Sequence, residues 1–390
     1  MKHVLVVFGT RPEAIKMAPV VAALRARADA LRTTVCVTAQ HREMLDQVLA
    51  LFGIVPEIDL ALMKPGQGLN DLASAVLSRM DDVLQERQPD VVLVHGDTTT
   101  AMATALAAFH RGVPVGHVEA GLRSGRFDAP FPEEMNRVVV DRVSAYRFAP
   151  TPGALANLKR EGADERTITV TGNTAIDALL HVRGRLAAAP IAVKALVGET
   201  GRLVLITAHR REAFGKPFAD VCTALQAVAT AHPDVQFVYP VHLNPQVKGP
   251  ARERLVAPNL LLLEPVDYAS LVWLLDRSEL VLTDSGGIQE EAPALGKPVL
   301  VLRDVTERPE LIEAGAGFLV GTNPERIVRE AGRLLDDPAW RASVGRPRAL
   351  FGDGRAAMRI AARLAGEAVR DWVPSPEAPP AAGNGSAGDR

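Results

Sequence analysis

The chain has 390 residues, 47% of them hydrophobic and 23% charged, with a formal net charge of −2. Such a length exceeds one compact core and implies two domains, and the near-neutral balance argues against nucleic-acid binding by bulk electrostatics. Two cysteines, Cys36 and Cys222, make no disulfide framework or metal-ligand spacing, and no apolar run suits a signal peptide or a membrane span, so a soluble cytoplasmic protein is expected.

In chain order, short apolar runs alternate with helical patterns almost from end to end. Strands are predicted at 4–8, 33–38, 91–94, 115–118 and 146–149 in the first half. In the second half they fall at 203–207, 235–239, 260–263, 280–283, 299–302 and 317–320. Most are simply apolar, as strands buried on both faces of a parallel sheet are. Amphipathic stretches at 14–28, 69–87, 101–111 and 217–231 supply crossover helices. The alternation predicts an α/β fold of two Rossmann-like doubly wound domains facing a central cleft. Residues 1–172 would form the first domain and 173–354 the second, divided near the poorly patterned stretch 187–201. A helix at 355–372 is expected to pack back on the first domain, and the Pro-, Ala-, Gly- and Ser-rich segment 374–390 to be a disordered tail.

Open α/β sheets bind ligands at the carboxyl ends of their strands, so the residues after each strand carry the chemistry. The fourth strand of the second half runs into Asp284-Ser285-Gly286-Gly287 and then a helical pattern. Two glycines let the backbone approach a ligand, and the free N–H groups of a first helical turn favour an anion such as a diphosphate. Glu290 and Glu291 follow closely and would repel phosphate, so at least one should point elsewhere, for instance to a ribose diol. The plainer reading is an ordinary strand-to-helix turn with acids favoured by the helix dipole.

Arg11, Lys16, His209, Arg210 and Arg308 are cations at other strand ends. They suit a pyrophosphate and stabilise charge growing on a leaving oxygen; otherwise they are solvated surface charge. Asp97, Glu119 and Glu133 are candidates for general acid/base work. Against that, Asp97 could cap the following helix, and Glu133 or Glu134 could sit in a favourable first turn. His95-x-Asp97 and His117-x-Glu119 admit a metal site, but a metal usually recruits more ligands than this, and none is expected. No Gly-x-Gly-x-x-Gly lies between a strand and a helix, and neither a Gly-x-Ser-x-Gly nor a Walker loop occurs. Nicotinamide oxidation, serine hydrolysis and ATP-driven transfer lose ground accordingly, and no cofactor is expected.

At these residues the chain closely resembles the non-hydrolysing UDP-N-acetylglucosamine 2-epimerases of bacteria. The likeness covers roughly residues 3–370 and rests on motifs in order. They include Gly9-Thr10-Arg11-Pro12-Glu13, His95-Gly96-Asp97-Thr98, His117-Val118-Glu119-Ala120-Gly121 and Pro132-Glu133-Glu134-Met135-Asn136-Arg137. Thr171-Gly172-Asn173-Thr174, His209-Arg210-Arg211-Glu212, Pro240-Val241-His242-Leu243-Asn244-Pro245, the 283–291 stretch and Thr306-Glu307-Arg308-Pro309-Glu310 complete the set. The resemblance implies a glycosyltransferase-B-like pair of domains, a homodimer, and interconversion of UDP-GlcNAc and UDP-ManNAc. By position it implies that Ser285, Gly286 and Gly287 hold the diphosphate and Glu291 the ribose. Arg11, Lys16, His209 and Arg308 would flank the phosphates, His209 counting among the catalytic residues, with Leu271 near the uracil. Asp97, Glu119 and Glu133 would be the acid/base groups, the base among them unassigned. Some relatives are activated by substrate at a second site near Gln40-His41-Arg42; the arginine expected around Lys64 to Gln67 is missing here. Inverting C2 without redox chemistry requires elimination of UDP to 2-acetamidoglucal and its re-addition. A hydrolysing epimerase or glycosyltransferase on the same fold, and a non-catalytic UDP-sugar sensor, are the alternatives.

Overall fold

Apolar strands need helices on both faces of their sheet, and the chain supplies them in two units. The computed structural model describes residues 1–38, 42–64, 66–187 and 191–375; Gln40-His41 and nearly all of the expected tail lie outside these. Contacts divide the chain into Met1–Ala178 with Phe351–Pro374, and Leu179–Leu350.

The first unit begins β1 (Lys2–Phe8), α1 (Arg11–Arg25), β2 (Leu31–Val37), α2 (Arg42–Phe52), β3 (Ile58–Asp59), α3 (Leu69–Arg87) and β4 (Val91–His95). It continues α4 (Thr99–His110), β5 (Val115–Val118), α5 (Glu133–Val143), β6 (Tyr146–Ala149), α6 (Pro152–Arg160), β7 (Ile168–Val170) and α7 (Thr174–Arg183). The boundary falls inside α7. The second unit runs α8 (Lys194–Val197), β8 (Arg202–Thr207), α9 (Lys216–Ala231), β9 (Val235–Pro240), α10 (Pro245–Arg254), β10 (Leu260–Leu263) and α11 (Tyr268–Arg277). Then come β11 (Leu280–Thr283), α12 (Gly286–Ala294), β12 (Val299–Val301), α13 (Pro309–Glu313), β13 (Gly317–Leu319), α14 (Pro324–Asp336) and α15 (Pro338–Val344). The chain returns to the first unit with α16 (Ala356–Leu364).

Both sheets are parallel. The first is ordered β3-β2-β1-β4-β5-β6-β7 and the second β10-β9-β8-β11-β12-β13. Strand order reverses between β1 and β4, and again between β8 and β11; such switch points open a crevice at the strand ends. Alternation along β1 explains the layering. Val4, Val6 and Phe8 pack with Met17, Leu45, Ile360 and Leu364, whereas Leu5 and Val7 pack with Val76, Met80 and Ala101 on the opposite face.

Two short strands escape a sequence reading. β3 and β7 are short runs each broken by a polar residue, Asp59 or Thr169, whereas the equally short β12 and β13 lie in continuous apolar runs. The expected helix at 355–372 is also too long. It ends at Leu364, because Gly366 takes φ +84°, a left-handed conformation that stops a helix. Beyond it the chain runs along β7: Trp372 N–H donates to the Val170 carbonyl (2.8 Å), and Asp371 receives the Val170 N–H (2.9 Å). The start of α16 is held by Asp177 on α7, whose carboxylate receives the N–H groups of Ala356 (3.2 Å) and Ala357 (2.9 Å).

Candidate active site

At the switch point of the first unit, β1 runs into α1 through a tight turn. Thr10 caps α1, and Glu13 reaches back to receive the N–H groups of Gly9 (3.0 Å) and Thr10 (2.8 Å). The other Glu13 oxygen receives the Thr98 hydroxyl at 2.7 Å. Glu13 therefore uses the amides of this turn, and the chemistry projecting from it belongs to Arg11 and Lys16 on α1. Gly9 is required by close approach, since a Cβ there would lie 2.1 Å from Thr38 Oγ1.

Glu119 follows β5 directly and takes φ +69°, a left-handed conformation costly for a side chain with a Cβ. Its N–H and that of Ala120 both donate to the Phe148 carbonyl, each at 3.1 Å. The carboxylate is ion-paired with Lys16, receives Asn173 Nδ2 at 3.1 Å, and lies 3.7 Å from His95 Nε2. Burial opposes its ionisation, but Lys16 and His95 hold the carboxyl well below the usual range. Backbone strain and a buried counter-ion are features that cluster at functional positions.

Asp97 does not cap α4. Thr98 does, receiving the Ala101 N–H at 3.0 Å. The Asp97 carboxylate instead receives Arg137 Nη2 at 2.5 Å, and its carbonyl receives Asn136 Nδ2 at 2.9 Å. Of the two acids opening α5, Glu134 is the structural one: 2% exposed, it receives the N–H groups of Ser124 (3.0 Å) and Gly125 (2.8 Å) and pairs with Arg137 at 3.2 Å. Glu133, half-buried, has no hydrogen-bond partner among the described residues.

In the second unit, β8 and β11 meet through paired hydroxyls, Thr207 and Thr283, at 2.6 Å. Asp284 then turns its buried carboxylate under the next loop, receiving the backbone N–H groups of His209 (2.6 Å) and Arg210 (2.7 Å). The His209 ring stacks on His242, with centroids 5.4 Å apart. Burial pushes its pKa down and Asp284 only partly counters this, so the neutral ring is favoured. Helix α12 opens at Gly286, with no side-chain cap on its first amides. The N–H of Ser285 is already donated to Thr283 Oγ1 at 2.9 Å, so the glycine amides open the uncapped end of the helix. A Cβ built on Gly286 would lie 3.7 Å from Nη2 of both Arg210 and Arg308. Two guanidinium groups thus overhang a glycine-opened helix N-terminus, a constellation suited to a diphosphate.

The acids beyond the glycines are both occupied. Glu290 is ion-paired with Nε of Arg308, and Glu291 receives the Tyr268 hydroxyl at 3.0 Å. Glu290 thereby orients a cation. Among the described residues no group of three or more His, Cys, Asp or Glu is placed to hold a metal, and no helix is long and apolar enough to cross a membrane. His117, one of the pairs considered for a metal, uses both ring nitrogens in hydrogen bonds to Asp141 and to the Gly96 carbonyl.

Comparison with known proteins identifies the family. The profile of the family described as UDP-N-acetylglucosamine 2-epimerase matches residues 22–365. This chain belongs to the UDP-N-acetylglucosamine 2-epimerase family. The family's enzyme from Escherichia coli K12 is 52% identical over 364 residues, 92% of this chain and 96% of its own. The solved UDP-GlcNAc 2-epimerase of Neisseria meningitidis, bound to UDP-GlcNAc, superposes with a TM-score of 0.88 at 44% identity, covering 94% of this chain and 100% of its own. The Methanocaldococcus jannaschii UDP-GlcNAc 2-epimerase, in complex with UDP-GlcNAc and UDP, does so with a TM-score of 0.77 at 34% identity, covering 93% and 99%. The two-domain, Rossmann-like, glycosyltransferase-B-like fold expected from the sequence is the fold of this epimerase family.

Within this family frame, Lys16 and Glu119 form one cluster of the first unit, and Asp97 is tied to α5, the helix that Glu133 opens. His209, Gly286 and Arg308 gather at the switch point of the second unit, while Leu271 sits half-buried on α11 beside Tyr268. Sequence reasoning missed the supporting residues Asn173, Arg137, Asp284 and Tyr268. Arg137 and Asn173 stand inside quoted motifs without any pattern giving them a task. Asp284 carries a usable signal, an acid at the end of an apolar strand where an unpartnered charge would be costly.

Proposed function

We propose that the protein interconverts UDP-GlcNAc and UDP-ManNAc without hydrolysis, by eliminating UDP to 2-acetamidoglucal and adding it back. Family membership supports the epimerase reading. The observation that carries the mechanism is the pair of guanidinium groups, Arg210 and Arg308, over Gly286. A departing diphosphate develops negative charge, and fixed cations with helix amides stabilise that state more than the ground state. Gly286, Gly287 and the Ser285 hydroxyl bind the diphosphate, Glu291 and Leu271 the uridine, and Arg11 and Lys16 counter further charge on the phosphates, with His209 donating a hydrogen bond from its neutral ring. Asp97, Glu119 and Glu133 move the C2 proton and its replacement. Glu133 is favoured for a step that changes protonation, because its carboxylate is not already committed to a cation. A cytoplasmic homodimer supplying N-acetylmannosamine for surface polysaccharide completes the proposal, on the strength of the resemblance.

The test is proton NMR of UDP-GlcNAc with purified protein in deuterated buffer and no added cofactor. UDP-ManNAc with deuterium at C2 is the expected product. Product retaining the original C2 hydrogen rules out elimination, and free UDP with free sugar in place of UDP-ManNAc selects the hydrolysing reaction.

A further inference from the structure

His117 lies in β5 with 0% exposure. Its Nδ1 is 2.6 Å from Asp141 Oδ1, and its Nε2 is 2.8 Å from the Gly96 carbonyl oxygen. A backbone carbonyl can only accept. Asp141 can also only accept: its other oxygen receives the Gly121 N–H and pairs with Arg123, an arrangement that needs a carboxylate. Flipping the ring would set carbons against both oxygens and relieve nothing. Two acceptors facing one imidazole require that both ring nitrogens donate.

Those two bonds reach the segments that carry all three candidate carboxylates. Gly96 precedes Asp97, takes φ +64°, and gives its own N–H to the Val118 carbonyl at 2.9 Å. A Cβ on Gly96 would lie 3.9 Å from Glu119 Oε1. Asp141 sits on α5, the helix that Glu133 opens. Its Oδ2 receives the Gly121 N–H at 3.1 Å and pairs with Arg123 at 2.8 Å, both just beyond Glu119, and its carbonyl receives Arg147 Nε at 2.8 Å. Asp141 faces the ring directly, and Arg123 and Arg147 are both bonded to Asp141.

We propose that His117 is a positioning residue, a buried imidazolium whose two N–H bonds set the mutual placement of Asp97, Glu119 and Glu133. Its catalytic consequence rests on the functional reading above, in which those carboxylates move the proton; the state of the ring can be read independently.

The experiment uses the full, unliganded chain labelled with 15N-histidine, His117 being assigned by its loss in His117→Gln. Protons on both ring nitrogens at neutral pH are expected; one bare nitrogen overturns the proposal. Kinetically, His117→Gln and Asp141→Asn should each lower kcat about 100-fold while KM stays within about threefold, because misplaced catalytic groups slow chemistry more than binding. A folded His117→Gln protein with unchanged kcat, or with only a raised KM, defeats the positioning role. Where that variant does not fold, the ring spectrum of the unaltered chain decides. A doubly protonated ring in a chain that makes no UDP-ManNAc would instead defeat the functional reading alone.

Discussion

The carboxylate of Asp284, at the end of β11, holds the backbone nitrogen of His209 at 2.6 Å and so fixes the loop that leaves β8. The same oxygen holds Arg210 at 2.7 Å, and Arg210 is one of the two guanidinium groups over Gly286. Asp284→Ala would strand two backbone donors at a site only 2% exposed, at a cost of about 2–4 kcal/mol. Thermal unfolding should show that loss together with a raised KM for UDP-GlcNAc, and Asp284→Asn should retain part of both.

Arg308 is aimed by Glu290, and aiming differs from charge. Arg308→Ala should raise KM for the nucleotide sugar and lower kcat, about 100-fold or more in kcat/KM. Lysine keeps a charge but has no planar fork to engage Glu290 and ligand together, so Arg308→Lys should recover only a minor part. Glu290→Gln should weaken the same step by a smaller factor. A fully active Arg308→Lys would show that the fork is dispensable.

Glu119 gives a pH signature of known sign. Its folded carboxyl is held well below the usual range, so the stabilisation it contributes is present above the unfolded carboxyl range and is lost as pH falls through the folded value. The stability difference between the unaltered chain and Glu119→Gln should therefore be level from neutral pH to about 5 and shrink below about pH 4. Denaturant titrations at three pH values read it. Lys16→Met removes the main counter-ion and should pull that acid limb upward in pH.

Asp177 has the opposite sign. Desolvation pushes its carboxyl up to about 7, although the Ala356 and Ala357 N–H groups pull the other way. A raised folded value means stabilisation that is full below the unfolded carboxyl range and lost as pH rises through about 7. Relative to Asp177→Asn, the chain should lose stability on the order of 3 kcal/mol between pH 4 and pH 8. A flat difference across that range would show that the two amides keep the carboxylate charged.

Much of the fold was legible because parallel, doubly covered strands write themselves as uninterrupted apolar runs, and most of the strand ends could be named from sequence. β3 and β7 were not legible, since Asp59 or Thr169 breaks each short run, and both strands are defined by their pairing with β2 and β6. The length of α16 was misjudged because its helical pattern continues past Gly366, where the backbone turns left-handed and the chain leaves to line β7.

The candidate site divides in the same way. Sequence alone determined which residue types stand at the strand ends: the cations, the three carboxylates and the glycines before α12, because each is local to one strand-to-helix junction. Only tertiary structure decided their states. Glu134 rather than Glu133 is spent on loop amides, Thr98 rather than Asp97 caps α4, and Glu290 aims Arg308 instead of repelling phosphate. A carboxylate's partner is set by residues far away in the chain, and whether it is an anchor, an ion pair or an unpaired group is a property of that packing.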